Sequence, residues 1–433
     1  MTKRNPFRYL QNVSPSDFVG RWPLVESIAQ DLVREEGDSH AIIAGQRYGK
    51  TSILGALSHQ LYQPVNLELG DSLALPLYID FKACAFNSAE AVFAFILHRI
   101  YRQINTVVRQ HPLALWPTPL RLGARWFEKL INAEELSMHD FEDGLGYIMD
   151  QLDTPTAPAR LILMLDEIGK SFDQPWTDEL YSQARALICS SELQTRIRLV
   201  LTGSQRFLEQ QATYSAPLCD VLKLHYMEAF DQESIAQLVA RADGFSPETA
   251  EAIWRQSGGH PFLAQYLLYN LWERREVKEL YNVEPAMIDR LASGFLHQRV
   301  FELEGWANAV GAIGLSVYKV LSDASDWVTE EQIMAAVNEP AQKIKRSLLG
   351  LCCHGLAVHD EDWAQYKYTG DLFKTWFNKC GIMNIPPAPR LEVSPVLAPQ
   401  HININTGGGP YIAGYVNTEG GGFISRDQMA AYP

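Results

Sequence analysis

Residues Ala41-Ile42-Ile43-Ala44-Gly45-Gln46-Arg47-Tyr48-Gly49-Lys50-Thr51-Ser52 decide the fold. A short apolar run ends in a loop with two glycines. Lys50 and Thr51 then open an amphipathic segment that places Ile53, Leu54, Leu57 and Leu61 at helical spacing. Strand, glycine loop, lysine and helix in that order make a phosphate-cradling loop. Its backbone N–H groups converge on phosphate oxygens, and the helix presents its positive end to the charge. Gly45, Gln46, Arg47, Tyr48, Gly49, Lys50, Thr51 and Ser52 are therefore the candidate nucleotide-binding residues. Lys50 is expected to reach the outer phosphates and the Thr51 hydroxyl to ligate Mg2+. One position departs from the G-x-x-x-x-G-K-[ST] pattern: Ala44 stands at its first glycine, and Gly45 follows one place later.

A second motif supplies carboxylates. The run Leu161-Ile162-Leu163-Met164-Leu165 ends in Asp166-Glu167 and suits a central parallel strand covered on both faces. An aspartate at the tip of such a strand can hold the metal, so Asp166 joins Thr51 as a candidate Mg2+ ligand. Glu167 is placed to polarise an attacking water, which makes it and Lys50 the leading catalytic candidates. A third run, Ile197 to Leu201, ends in Thr202-Gly203-Ser204. Ser204, or Thr202 beside it, can hydrogen-bond the γ-phosphate or that water. Leu73 to Phe81 reads as another buried strand, ending at Asp80. Strands alternating with helices imply an α/β doubly wound parallel sheet with its ligand at the carboxyl ends of the strands. No arginine finger is assignable.

Composition bounds the remaining classes. A chain of 433 residues exceeds one core, and 47% hydrophobic with 20% charged residues describes a globular protein. A net charge of -14 argues against tight nonspecific nucleic-acid binding. Six cysteines without C-x-x-C spacing indicate neither a zinc site nor a disulfide framework. No stretch is long and apolar enough to span a membrane, and the N-terminus lacks the apolar region of an export signal. A cytoplasmic location is the expectation.

Around the loop, Asn5 to Trp22 is an aromatic-rich lead-in closing with Phe18-Val19-Gly20-Arg21, and a helix is predicted from Pro23 to Arg34. Such a segment either packs against an adenine base or caps the domain. His111 to Pro119 reads as a proline- and tryptophan-bearing loop. From Asp231 the pattern is helical, with Ser246-Pro247 as a helix start. Gly258-Gly259-His260-Pro261 is either a backbone-led nucleotide site or a packing break between helices. Ala309 to Phe377 reads helix, helix, helix, hairpin, helix, with a capping box at Thr329-Glu330-Glu331-Gln332. That is the order of a winged helix. Lys343, Lys345 and Arg346 offer some phosphate contacts, yet the wing turn Asp360-Glu361-Asp362 is acidic. Packing on protein is therefore favoured over DNA contact. After the proline-rich stretch Ile385 to Pro399, Ile404-Asn405-Thr406-Gly407-Gly408-Gly409-Pro410-Tyr411-Ile412 aligns with Val416-Asn417-Thr418-Glu419-Gly420-Gly421-Gly422-Phe423-Ile424. Such a repeat is a disordered tail, a stack of strands or a template for cross-β assembly.

Taken in order, Phe18-Val19-Gly20-Arg21, the Ala44–Ser52 loop, Leu165-Asp166-Glu167, Thr202-Gly203-Ser204 and Gly259-His260-Pro261 resemble the motif series of STAND-type P-loop ATPases. These are AAA+-related signalling ATPases akin to NACHT and archaeal-type proteins, and the resemblance covers Asn5 to Phe377. It implies an AAA+-like core at 1–230, a helical lid at 231–305 and a winged helix at 306–380. A linker at 381–400 and a repeat tail at 401–433 would follow. It further implies ATP and Mg2+ as cofactors, slow hydrolysis, and a change from an ADP-bound monomer to an ATP-bound homo-oligomer. Arg21 would lie near the nucleotide, and His260 with Pro261 would couple it to the lid. The tail resembles short Asn-Thr-Gly-Gly repeats of bacterial signalling and conflict-system proteins, which implies self-association or recruitment of an effector. A DNA-handling ATPase and a non-hydrolysing nucleotide-binding module are the alternatives.

Overall fold

The computed structural model describes residues 4–62, 73–81, 86–110, 123–153, 158–171, 174–207, 218–242, 245–278 and 285–380. The loop expected at His111 to Pro119, the linker and the repeat tail lie outside the described residues. Met1–Pro386 form one compact unit.

Helix α1 (Trp22–Val33) starts with a proline in its first turn and buries Val25, Ile28, Ala29 and Leu32. Strand β1 (Ser39–Ile43) is buried along its whole length. It feeds the loop into α2 (Lys50–Leu61), which Gly49 precedes in a left-handed conformation, φ 89°. Then come β2 (Leu73–Asp80), α3 (Ala89–Gln110), α4 (Arg125–Ile131) and α5 (Met138–Leu152). Ser137 caps α5, its side chain accepting from the Asp140 amide. Next are β3 (Ala159–Asp166), α6 (Thr177–Cys189), β4 (Ile197–Gly203) and β5 (Leu222–Tyr226).

The five strands form one parallel sheet in the order β2-β3-β4-β1-β5. Alternate residues of β3 serve opposite faces. Leu161, Leu163 and Leu165 pack with Ile100, Phe141 and Ile148, while Ile162 and Met164 pack with Ile28, Leu32, Ile53 and Leu57. With both faces covered, the middle of β3 calls for no polar residue, which is why Leu161 to Leu165 is a continuous apolar run. Each fully buried Leu, Ile or Phe adds about 2 kcal/mol of transfer free energy before conformational entropy is subtracted. The motif-bearing strand ends meet at one edge of the sheet: Asp80 pairs with Asp166, and Ile43 with both Gly203 and Tyr226.

Beyond the sheet the chain is mainly helical. Asp231 caps α7 (Gln232–Val239), followed by α8 (Pro247–Ser257), α9 (Pro261–Lys278) and α10 (Pro285–Gln298). The expected Ser246 cap of α8 forms without a side-chain bond to the helix amides. Its carbonyl, not its hydroxyl, accepts from Thr249 N. Helix α11 (Val300–Asp323) kinks at Gly311, φ 70°, and runs through the 305/306 junction. Then follow β6 (Val328–Thr329), α12 (Glu330–Ala336) with its capping box formed, α13 (Ala341–Cys353), β7 (Ala357–His359), β8 (Gln365–Tyr368) and α14 (Asp371–Lys379). The three short strands are antiparallel in the order β6-β8-β7. A single apolar core joins Phe7 of the lead-in, Phe262, Trp306, Leu351 and Phe377. No helix among the described residues is long and apolar enough to cross a membrane.

Candidate functional site

The loop departs from its usual glycine pattern for a steric reason. Ala44 prolongs β1, donating its amide to the Gly203 carbonyl at 3.0 Å, and its methyl is buried in the core under α1 and α2. A side chain is welcome there. At Gly45 it is not, because a Cβ would lie 2.5 Å from His354 Nδ1 and 3.0 Å from the His354 Cα. The Gly45 amide donates to the Cys353 carbonyl at 2.7 Å. Arg47 also adopts a left-handed conformation, φ 57°. Its guanidinium is held by Glu302 Oε2 at 2.8 Å and lies 4.7 Å over the Phe262 ring.

Lys50 is buried, its ammonium donating to the Ala44 and Gly45 carbonyls at 3.1 and 2.7 Å and standing 4.0 Å from Glu167 Oε1. Asp166 is only 2% exposed and is the hub of the site. Its Oδ2 accepts from the Thr51 hydroxyl at 2.7 Å and the Tyr78 hydroxyl at 2.8 Å, and its Oδ1 accepts from Thr202. Burial and the neighbouring Asp166 charge push the Tyr78 phenol far above its usual range, so it stays a donor. Thr202 in turn accepts from the Glu167 amide at 3.0 Å, and Glu167 is held at φ 57°. A hydroxyl and a carboxylate 2.7 Å apart are an oxygen donor pair that suits Mg2+, so Thr51 and Asp166 fit that ion. Of the two hydroxyls considered at the end of β4, Thr202 contacts the carboxylate strand. Ser204 lies half-buried beyond the strand end, where its carbonyl accepts from Phe207 N.

Beside the loop is a cavity of about 180 Å3 lined by Tyr9, Val19, Arg21, Gly49, Ser52 and Pro261 among others. Lead-in, loop and the start of α9 thus face one space. Arg21 donates to the Tyr48 carbonyl at 2.7 Å and the Glu228 carbonyl at 2.6 Å, and burial lowers its pKa to about 10. Ser52 accepts from Val13 N through its hydroxyl at 3.3 Å. Gln46 is exposed on the loop.

The Tyr48 and His260 side chains do not face that cavity. They are buried behind the loop, where Tyr48 meets His260 edge-on at 5.0 Å and His260 stacks on Trp306 at 4.4 Å. Both are large rings inside the apolar core, which accounts for their leaving the cavity. The His260 ring is kept neutral by burial and by the nearby His354, Arg21 and Arg47, its pKa lowered to about 3. Burial and Lys50 lower that of His354 to about 4. The Tyr48 hydroxyl, His260 Nε2 and His354 Nδ1 meet no hydrogen-bond partner among the described residues.

Sequence reasoning missed Tyr78, Glu302, Cys353 and His354. Tyr78 had a signal, sitting two residues before Asp80 on a strand that parallels β3. Cys353 and His354 had none, since they reach the loop only through the fold.

No family model matches the chain, and no curated protein sequence matches it. Among solved structures it is similar to the Walker-type ATPase of Pyrococcus abyssi, with a TM-score of 0.51 and 14% identity over 86% of this chain and 99% of that one. It also aligns with the ORC1 protein of Aeropyrum pernix in complex with DNA, at a TM-score of 0.43 and 13% identity over 87% of this chain and 95% of that one. RuvB of Thermotoga maritima, a Holliday junction branch migration motor, aligns at 0.40 and 12% over 85% and 98%. The fold, a five-stranded parallel sheet with many helices, is the α/β fold shared with that Walker-type ATPase.

Proposed function

We propose that this chain is a cytoplasmic ATPase of low turnover whose nucleotide state controls its assembly. The hydrogen bond from the Gly45 amide to the Cys353 carbonyl carries this reading. A phosphate on the loop and the end of α13 would address the same few residues, so occupancy and the seating of the C-terminal elements are thermodynamically linked. Lys50 and the amides of residues 46–52 hold the phosphates, beside the Gly45 amide on Cys353. Thr51 and Asp166 hold Mg2+, which when bound neutralises charge developing on the phosphate oxygens. Glu167 orients and deprotonates the attacking water, while Thr202 fixes that strand end and Ser204 stands next in line as a sensor. Arg21 and Pro261 border the base, and His260 backs the loop.

Residues 1–230 act as the ATPase core, 231–305 as a helical lid and 306–380 as a winged helix. A linker (381–400) then leads to a repeat tail (401–433) for self-association or effector recruitment. DNA contact is disfavoured because Lys343 pairs with Glu339 at 3.6 Å and Lys345 with Glu330 at 2.8 Å, on the helix that would have to enter a groove.

Size-exclusion chromatography of Glu167→Gln in ATP and in ADP tests the switch, with a larger species expected only in ATP. A monomer in both overturns it. Lys50→Ala and Asp166→Ala should each weaken binding of a fluorescent adenine nucleotide about 100-fold. Wild-type affinity in both would remove the nucleotide site itself.

A further inference from the structure

A second cavity, of about 570 Å3, lies where the segment 226–231 leaves the sheet and meets α8 and residues 349–371. It is within the size range of small-molecule sites. Trp254, Trp327, Trp363, Tyr226 and Tyr368 line it. Trp327 and Trp363 remain 40% and 37% exposed. Trp363 is held in a left-handed conformation, φ 56°, by a turn built for the purpose. Asp360 Oδ1 accepts from the amides of Ala364 and Gln365, the Asp360 carbonyl accepts from Trp363 N, and Tyr366 donates to the Trp363 carbonyl. The ring stacks on His359 at 3.4 Å. A strained, half-exposed tryptophan at a cavity mouth is costly to keep.

Charge narrows what such a space accepts. The lining holds three carboxylates, Glu228, Asp231 and Asp371, against two cations, Arg255 and Lys367. Arg255 pairs with Asp371 and with Asp289, Lys367 pairs with Asp326, and the Asp231 carboxylate caps α7, so Glu228 is the lining carboxylate that sets the balance. The Glu228 carboxylate is 77% exposed and faces the His359 imidazole at 4.0 Å. Indole faces with an excess of carboxylate attract organic cations and repel phosphates.

We propose that this cavity binds an organic cation, an ammonium or amidinium on an apolar body, and that its occupant holds the C-terminal elements against the phosphate loop. Its walls carry the atoms that secure the loop: the Glu228 carbonyl accepts from Arg21, the Cys353 carbonyl from Gly45, and Phe230 N donates to Gly259. Filling the space ties these walls together and so favours the seated arrangement. The coupling rests on the nucleotide-switch reading; the site itself does not.

The test uses the full chain and three probes: benzyltrimethylammonium, the uncharged N,N-dimethylbenzamide and the anionic benzylphosphonate. Calorimetry should show the cation binding about tenfold more tightly than the amide, with the phosphonate weakest. Glu228→Gln and Trp363→Leu should each erase that preference. The Glu228 carboxylate is solvent-exposed, so the first variant tests the idea even if the second misfolds. Equal affinity for cation and amide, or an unchanged preference in Glu228→Gln, overturns the site. Saturating cation should slow release of a fluorescent ADP analogue about tenfold, and unchanged release overturns the coupling. If the chain binds the cation but binds no adenine nucleotide when one is offered, the site stands and only the switch beneath the coupling is overturned.

Discussion

The two sides of the phosphate loop are built to different standards. On the Asp166 side, hydroxyls of Thr51, Tyr78 and Thr202 converge on one buried carboxylate, and Thr202 also takes the Glu167 amide. On the other side the Tyr48 hydroxyl, His260 Nε2 and His354 Nδ1 are buried with no hydrogen-bond partner among the described residues, Tyr48 and His260 against each other and His260 on Trp306. A satisfied network rigidifies, whereas each buried polar group left unpaired costs about 1–3 kcal/mol. The Asp166 side is thus preorganised, and the rear side carries the unpaired polar groups. The proposed switch would use that division, one face staying fixed while its neighbour rearranges.

Acid should break this contrast most strongly. His260 and His354 have pKa values depressed to about 3 and 4 in the seated state, against 6.5 when released. The released state therefore binds more protons at lower pH. The seated arrangement keeps its full stability above pH 6.5 and loses it as pH falls, about 3 kcal/mol per histidine by pH 4. Thermal melts from pH 7.5 to 4 should show a steep decline that His354→Leu makes shallower. The same decline in that variant would mean His354 is not buried neutral.

Next in size is Gly45→Ala. The added methyl meets His354 at both ring and backbone, an overpacking cost of about 2 kcal/mol. Release of ADP should quicken about tenfold while the Mg2+ requirement is unchanged. If release is unaffected, the rear packing does not govern the nucleotide. The smallest effect falls on the other side. Thr202→Val keeps the shape but removes one of three donors to Asp166, and should weaken Mg2+ dependence about fivefold, near 1 kcal/mol. Nucleotide release should not respond.

What could be read from the sequence was whatever is local. The loop, the apolar runs ending in Asp166 and Gly203, and the capping box at Thr329 are contiguous residues whose spacing states their geometry. Strand β5 escaped notice: Leu222-Lys223-Leu224-His225-Tyr226 is short, mixed and at the sheet edge, where only Leu222 is buried, so no apolar run announces it. The Ala44 departure looked like a weakened motif. It became intelligible only with His354 in place, because the residue that excludes a side chain at Gly45 comes from a helix far along the chain. For Gly258-Gly259-His260-Pro261 the sequence left a nucleotide site and a packing break both open; neighbouring positions of a helix start point in different directions, so Pro261 lines the cavity while His260 packs on Tyr48 and Trp306.

The lead-in is fastened on both sides of the smaller cavity. Asn5 donates to the Tyr269 carbonyl and Arg8 N to Gln265 on α9, while Val13 N donates to Ser52 on α2. A strap anchored on two bodies transmits tension between them, so any swing of α9 away from α2 must either stretch residues 8–13 or detach one anchor. That piece of backbone has no chemistry of its own, yet residues 8–13 reach at most about 20 Å when fully extended, so its length limits how far the two helices can part with both anchors kept.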